Sequence, residues 1–424
     1  MSRRLLAAAA GAALLAAPAA AQTIAIEGGT VHPVSGPAIP NGTVLLRDGR
    51  IVAVGANVAV PAGARRIDAR GKWVTPGLFD SSTRLGLTEV GAVTETNDFR
   101  LQDDEDRVSA AFVVTDGLNP ASFVLPAVRI HGVTTAVTHP AGGLVAGQGV
   151  VIDLDGSRME DLLVRAPVAM YASVAEDARD DAGGSRPGIA LRLREVLDDA
   201  RLYPRVAAAL ERGETREMAV HRLDLAALQP VLRGELPLVV EAHRASDIRT
   251  VLRIAREYGV RVMILGGTEA WMVADELAAA NVPVVTRVLT NLPDRFESLG
   301  ARFDAAALLR QRGVTVAITS GETHKAANLR QEAGNAVAYG MSWDDALRSI
   351  TLVPAQLWGV ADRYGSLEPG KVANVVVWDG DPFELLTNPT HVFIRGREIP
   401  LVSRDTQLRD RYRNLDEARR SYGP

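Results

Sequence analysis

Between residues 76 and 363, short apolar strand patterns alternate with amphipathic helix patterns, and both flanks of that span read as strands. Residues 133–138, 150–154, 168–171, 238–242, 261–265, 282–286 and 315–319 predict strands, because β-branched and aliphatic residues run or alternate there between turn formers. Residues 192–210, 245–257, 271–280, 304–312 and 343–353 predict helices, often ended by glycine. Buried strands followed by helices make a parallel sheet, and about eight such repeats close into a barrel. The chain has 424 residues, 47% of them hydrophobic, which is enough for a (β/α)8 barrel and a small second unit. The flanks supply that unit. Residues 23–27, 43–47, 50–55 and 65–68 read as strands between turns such as Asn41-Gly42 and Asp48-Gly49, and residues 392–395 and 397–399 form a hairpin around Gly396.

Composition removes several kinds of chemistry. A net charge of −4 gives no electrostatic case for nucleic acid. The absence of cysteine excludes thiolate metal sites, disulfides and a cysteine nucleophile. Seven histidines must supply any imidazole site: His32, His131, His139, His221, His243, His324 and His391. The start of the chain reads as an export leader. Arg3 and Arg4 precede an Ala/Leu-rich run, and Ala19-Ala20-Ala21 offers a cleavage point before Gln22. The run is short and Pro18 interrupts it, so stable membrane insertion is not expected. The expected location is periplasmic or secreted.

The stretch Pro76-Gly77-Leu78-Phe79-Asp80-Ser81-Ser82-Thr83-Arg84 resembles the first barrel strand of the amidohydrolase superfamily, Pro-Gly-apolar-apolar-Asp-x-His-x-His. A second element, from Gly365 through Gly370-Lys371 and Ala373-Asn374 to Asp379, is similar to the closing half of that superfamily's small β-sandwich. Asn374 stands where Asp is common. Gly132-Val133-Thr134-Thr135-Ala136-Val137, Gly147-Gln148-Gly149, His243 to Ile248 and Gly267-Thr268-Glu269-Ala270 resemble its secreted, imidazolonepropionase-like branch, with the glycine-rich stretch as a loop at the barrel mouth. The leader reads as residues 1–21 and the tail as 401–424, and the resemblance implies a β-sandwich from 22–75 and 364–400 around a barrel over 76–363. The charged tail reads as a surface helix or a disordered segment.

The family implies one or two divalent metals at the mouth, activating water for hydrolysis of a C–N bond. Alternate strand residues share a face, so His-x-His grips an ion. Here Ser82 and Arg84 occupy those two positions. A hydroxyl is a poor neutral ligand, and a guanidinium cannot ligate. Asp153 falls where a bridging lysine is expected, and reads as a strand-end carboxylate facing solvent. His243 survives at the fifth-strand position; Leu265 or Gly266 falls where the next histidine belongs. Gly321 replaces the last-strand aspartate, with Glu322 adjacent. Arg84 then either replaces the ion, by pairing with Asp153 or Glu322 or by holding an anionic ligand, or turns to solvent. A Ser82–His243–Glu322 hydrolytic triad lacks a Gly-x-Ser-x-Gly elbow. Tyr171 and Trp271 could stack on a ligand or pack internally.

Two functional readings remain. In the first, the chain is a metal-site-degenerate homologue without cofactor, acting as a binding or partner subunit beside an intact paralogue or in a homo-oligomer, with a small-molecule ligand possible. In the second, His139, His243 and His324 rebuild a single-zinc site, and the chain hydrolyses a cyclic amide or dipeptide-like C–N bond.

Overall fold

The computed structural model describes residues 23–101, 107–289, 292–321 and 323–413. The leader and Glu322 lie outside them. The first five strands are β1 (Ile24–Val31), β2 (Ile39–Arg47), β3 (Arg50–Gly55), β4 (Arg65–Asp68) and β5 (Trp73–Pro76). The barrel strands are β6 (Leu78–Thr83), β7 (Val133–Thr138), β8 (Val145–Asp153), β9 (Leu163–Ser173), β10 (Leu238–Ala242), β11 (Val262–Gly266), β12 (Val284–Thr286) and β13 (Val316–Ile318). The chain closes with β14 (Val375–Trp378), β15 (Pro389–Ile394) and β16 (Arg397–Ile399).

Both chain ends build one sheet, in the order β16-β15-β14-β5-β1-β2-β3, with β4 beside β1. The ends join where β5 pairs antiparallel with β14, Pro76 opposite Val375. The inward residues of this sheet, including Ile26, Val44, Leu46, Val375, Val377 and Phe393, form their own apolar core. Strands β6 to β13 form the TIM-like barrel in sequence order. Alternation separates its two faces. Phe79, Val137, Val151, Val239, Met263, Val285 and Ala317 pack inside, above Trp358 and Tyr364. Leu78, Val133, Val150, Leu238, Ile264, Val284 and Val316 belong to the outer core, with helix residues such as Leu193, Ile248 and Leu309. The helix predicted over 192–210 is longer, Arg186–Glu211, and starts where Ser185 Oγ accepts the Gly188 N–H at 3.2 Å.

The expectation of an all-parallel barrel fails at one strand. β8 runs antiparallel to both β7 and β9. The reason is connection length. Only residues 139–144 separate β7 from β8, whereas a parallel crossover takes about a dozen residues or more. The expected glycine-rich loop is likewise corrected: Gly147, Gln148 and Gly149 lie within β8, and only Gly142 and Gly143 sit in the connecting loop.

Between β6 and β13 the barrel is joined by side chains. The buried Asp80 carboxylate accepts bonds from the Thr319 and Ser320 hydroxyls, from the Ser320 N–H at 3.2 Å and from the Ser82 N–H at 3.3 Å. The tail forms a surface helix, Arg404–Arg413, with no buried side chain. No described helix is long and apolar enough to cross a membrane.

Candidate functional site

Strands β6, β7 and β9 to β13 run parallel and deliver their C-terminal ends to one rim. A cavity of about 170 Å³ opens there. Ser82, Arg84, His139, Glu241, His243 and Gly321 all line it. Barrel sites are built at this end because the strand ends aim several side chains at one space.

His139 organises one wall. Its Nδ1 lies 2.8 Å from the Pro140 carbonyl oxygen, which places the proton on Nδ1 and leaves Nε2 as the acceptor. Ser82 Oγ reaches that lone pair at 2.7 Å, while Arg84 Nη1, 2.8 Å from Nε2 and 3.3 Å from Nδ1, lies over the face of the ring. The ring stacks on Tyr171, centroids 4.0 Å apart and planes 7° from parallel. Gly149 gives this stack its room. A Cβ there would lie 2.5 Å from Tyr171 Cε2 and 2.9 Å from His139 Cβ. Burial, followed by the Arg84 charge, holds the His139 pKa well below its ordinary value, so the ring stays neutral.

Arg84 is partly open to the cavity but crowded by protein. Burial lowers its pKa to about 10, so it remains a cation near neutrality. Besides His139, it donates to the Thr83 carbonyl at 3.1 Å and lies 5.2 Å from the Phe99 ring centroid.

On the opposite wall, His243 Nδ1 lies 2.8 Å from Thr268 Oγ1, and Nε2 lies 3.7 Å from Glu241 Oε1. Burial pushes the Glu241 carboxyl up, but His243 and Arg84 outweigh it, and the pKa sits below its ordinary value. Gly266, at the sixth-strand histidine position, makes space for this imidazole. A Cβ on it would meet His243 Cε1 at 2.5 Å. Gly321, at the missing aspartate position, faces Arg287: a Cβ there would lie 2.7 Å from Arg287 Cδ.

Three expectations need correction. Asp153 is neither at the mouth nor facing solvent. It pairs in register with Thr135, toward the base of the barrel, and is completely buried. There it accepts bonds from Thr135 Oγ1 at 3.0 Å, Asn374 Nδ2 at 2.9 Å, the Tyr364 hydroxyl at 2.9 Å and Arg395 Nε at 2.7 Å. Reversal of β8 explains the error, since the end of that strand points away from the rim. Arg84 therefore does not pair with Asp153. His324 does not converge with the other two histidines either. It is exposed and lies against Phe123, with ring centroids 6.2 Å apart. The imidazole beside Ser82 is that of His139, not His243. Trp271 packs internally, donating from Nε1 to the Gly300 carbonyl at 2.9 Å.

Glu241 was missed by the sequence reading, although the rule that paired Ser82 with Arg84 also pairs it with His243, two residues along the same strand direction.

Family members generally use divalent metals such as zinc, so the fit of one can be tested on these side chains. Among the described residues, no three His, Asp or Glu side chains gather so as to hold an ion. Nε2 of His139 is engaged by the Ser82 hydroxyl and Nδ1 by the Pro140 carbonyl, and a guanidinium lies against the ring. The Glu241–His243 pair alone falls short of the three protein ligands that catalytic zinc uses. The described residues do not fit the family's metal.

Comparison with known proteins agrees with the architecture. A family model described as the amidohydrolase family matches residues 214–399. The structure of an amidohydrolase from Thermotoga maritima MSB8 superimposes with a TM-score of 0.81 at 30% identity, over 89% of this chain and 99% of that one. An imidazolonepropionase from Mesorhizobium japonicum is 25% identical, covering 85% of this chain and 93% of that protein. Amidohydrolase tasK of Hapsidospora irregularis is 22% identical across 84% of this chain, which spans only 39% of that protein's length.

Proposed function

The chain belongs to the amidohydrolase family, and we propose that in this member the barrel mouth binds a small polar molecule without a metal ion. One observation carries the reading. Arg84 stands at the second metal-ligand position, with Nη1 2.8 Å from the His139 imidazole that faces the cavity. At an effective dielectric of 20, two unit charges at 4 Å interact by about 4 kcal/mol, and a divalent ion doubles that repulsion. An ion and this guanidinium therefore exclude one another.

The Ser82–His139 contact does not supply a substitute mechanism. A general base must accept the serine proton, and the basicity of His139 is suppressed by burial and by the charge of the guanidinium lying over its ring. Ser82 and His139 act instead as positioning residues for Arg84. The single-zinc hydrolase reading loses its third ligand, because His324 lies outside the cavity lining. We also propose that the protein is exported, on the strength of the basic start and apolar run before Gln22.

Elemental analysis of protein purified without chelator tests the metal-free reading. The expected content is well under one ion per chain, with a melting temperature unmoved by chelator. A full equivalent of zinc would overturn it.

A further inference from the structure

Opposite charges line the mouth cavity without meeting. Arg84 and Glu241 both face it, and each feels the other's field. Yet among the described residues Arg84 makes no ion pair, and its contacts are a carbonyl, a neutral imidazole and an aromatic ring. The ionic contact of Glu241 is His243 at 3.7 Å, and its side chain remains 46% exposed. Neither charge is neutralised by a direct salt bridge to the other, although both are partly desolvated. A partly desolvated charge gains most from a charge-assisted bond to a complementary group.

The rest of the lining limits what can bridge the gap. Ala146, Ala172, Leu265 and Val285 give an apolar floor, and Tyr171 adds a buried hydroxyl that has no partner among the described residues. The cavity, about 170 Å³, is of a size for a small molecule with a short apolar group. Arg287, on the rim, adds a second positive charge near the mouth.

Building on the metal-free reading above, we propose that the occupant is a small zwitterion of the α-amino acid type, with its carboxylate on Arg84, its ammonium on Glu241 and a short apolar side chain between the aliphatic walls.

Calorimetric titration of the purified protein with L-valine, isovalerate and isobutylamine tests this. Isovalerate lacks the ammonium group and isobutylamine the carboxylate. Valine is expected to bind at least about tenfold more tightly than either, and Glu241→Gln to bring valine down to the level of isovalerate. If isovalerate binds as well as valine, the zwitterion is overturned and the cavity is a simple anion site, with the metal-free reading intact. If none of the three binds at about 10 mM, the zwitterion inference also fails, and the metal-free reading then rests on elemental analysis alone.

Discussion

The two ends of this barrel treat buried charge in opposite ways. At the base, Asp153 is wholly enclosed and every lone-pair direction is met: Thr135, Asn374, Tyr364 and Arg395 all donate to it. The same cluster welds the outer sheet to the barrel, since Asn374 and Arg395 come from the closing segment of the chain. Asn374 suits this place better than the Asp common in the family. Its amide donates to Asp153 at 2.9 Å while its oxygen accepts the Arg395 N–H at 2.8 Å, whereas a second carboxylate would only repel. At the mouth, Arg84 is crowded but, among the described residues, given no counter-charge in contact. A saturated ionic cluster anchors a fold. An unsaturated one beside a cavity is held in reserve for a ligand.

Breaking the base cluster gives the largest expected effect. Asp153→Ala leaves Arg395 without its counter-charge and the buried Tyr364 hydroxyl without its acceptor, and should cost about 3–5 kcal/mol in urea unfolding. A loss below about 1 kcal/mol would mean the base is no more committed than a surface pair.

The seam between β6 and β13 gives the next effect. Burial pushes Asp80 from 3.8 up to about 6. The folded state therefore keeps a proton that the unfolded state releases between those values. The stability contributed by Asp80 is present below 3.8 and is lost as pH rises through about 6, a change of at most about 3 kcal/mol. His139, held below its ordinary value, works in the opposite sense. The difference between wild type and Asp80→Asn isolates the carboxyl. Unfolding midpoints should show wild type losing ground to the variant from about pH 4 to about pH 7, and a constant difference would return Asp80 to ordinary titration.

The smallest effect sharpens the comparison most. Arg84→Met exchanges a partly buried cation for an apolar side chain of similar length. It should leave stability within about 1 kcal/mol of wild type, or raise it, while abolishing ligand binding. A loss as large as that of Asp153→Ala would make Arg84 a structural residue and remove the contrast.

The fold was legible in the sequence because burial on both faces leaves long runs of aliphatic residues. The strands predicted at 133–138 and 238–242 match β7 and β10 residue for residue. The helix predicted over 343–353 breaks into Trp343–Ser349 and Leu352–Leu357, because Thr351 leaves the helical backbone. Strand direction was not legible from apolar runs, which read alike either way. The strand read at 150–154 left residues 139–149 as the connection, close to the length of a crossover; β8 starts earlier, at Val145, and the longer apparent link sent Asp153 to the wrong end. The replaced metal positions were visible as identities, Ser82 and Arg84, because the surrounding frame is intact. Their new arrangement was not. The contact between Ser82 and His139 spans 57 positions, and it depends on the space left by Gly149, a tertiary fact no local pattern encodes.

The reversed strand β8 has a consequence for how errors spread. Its opening residues floor the cavity through Ala146, and its last residue, Asp153, is the centre of the anchoring cluster. One continuous ribbon thus acts as a gauge rod set between the working face and the foundation. Sliding it by a single step would turn every side chain to the opposite surface, so a fault at either extremity is felt at once at the other.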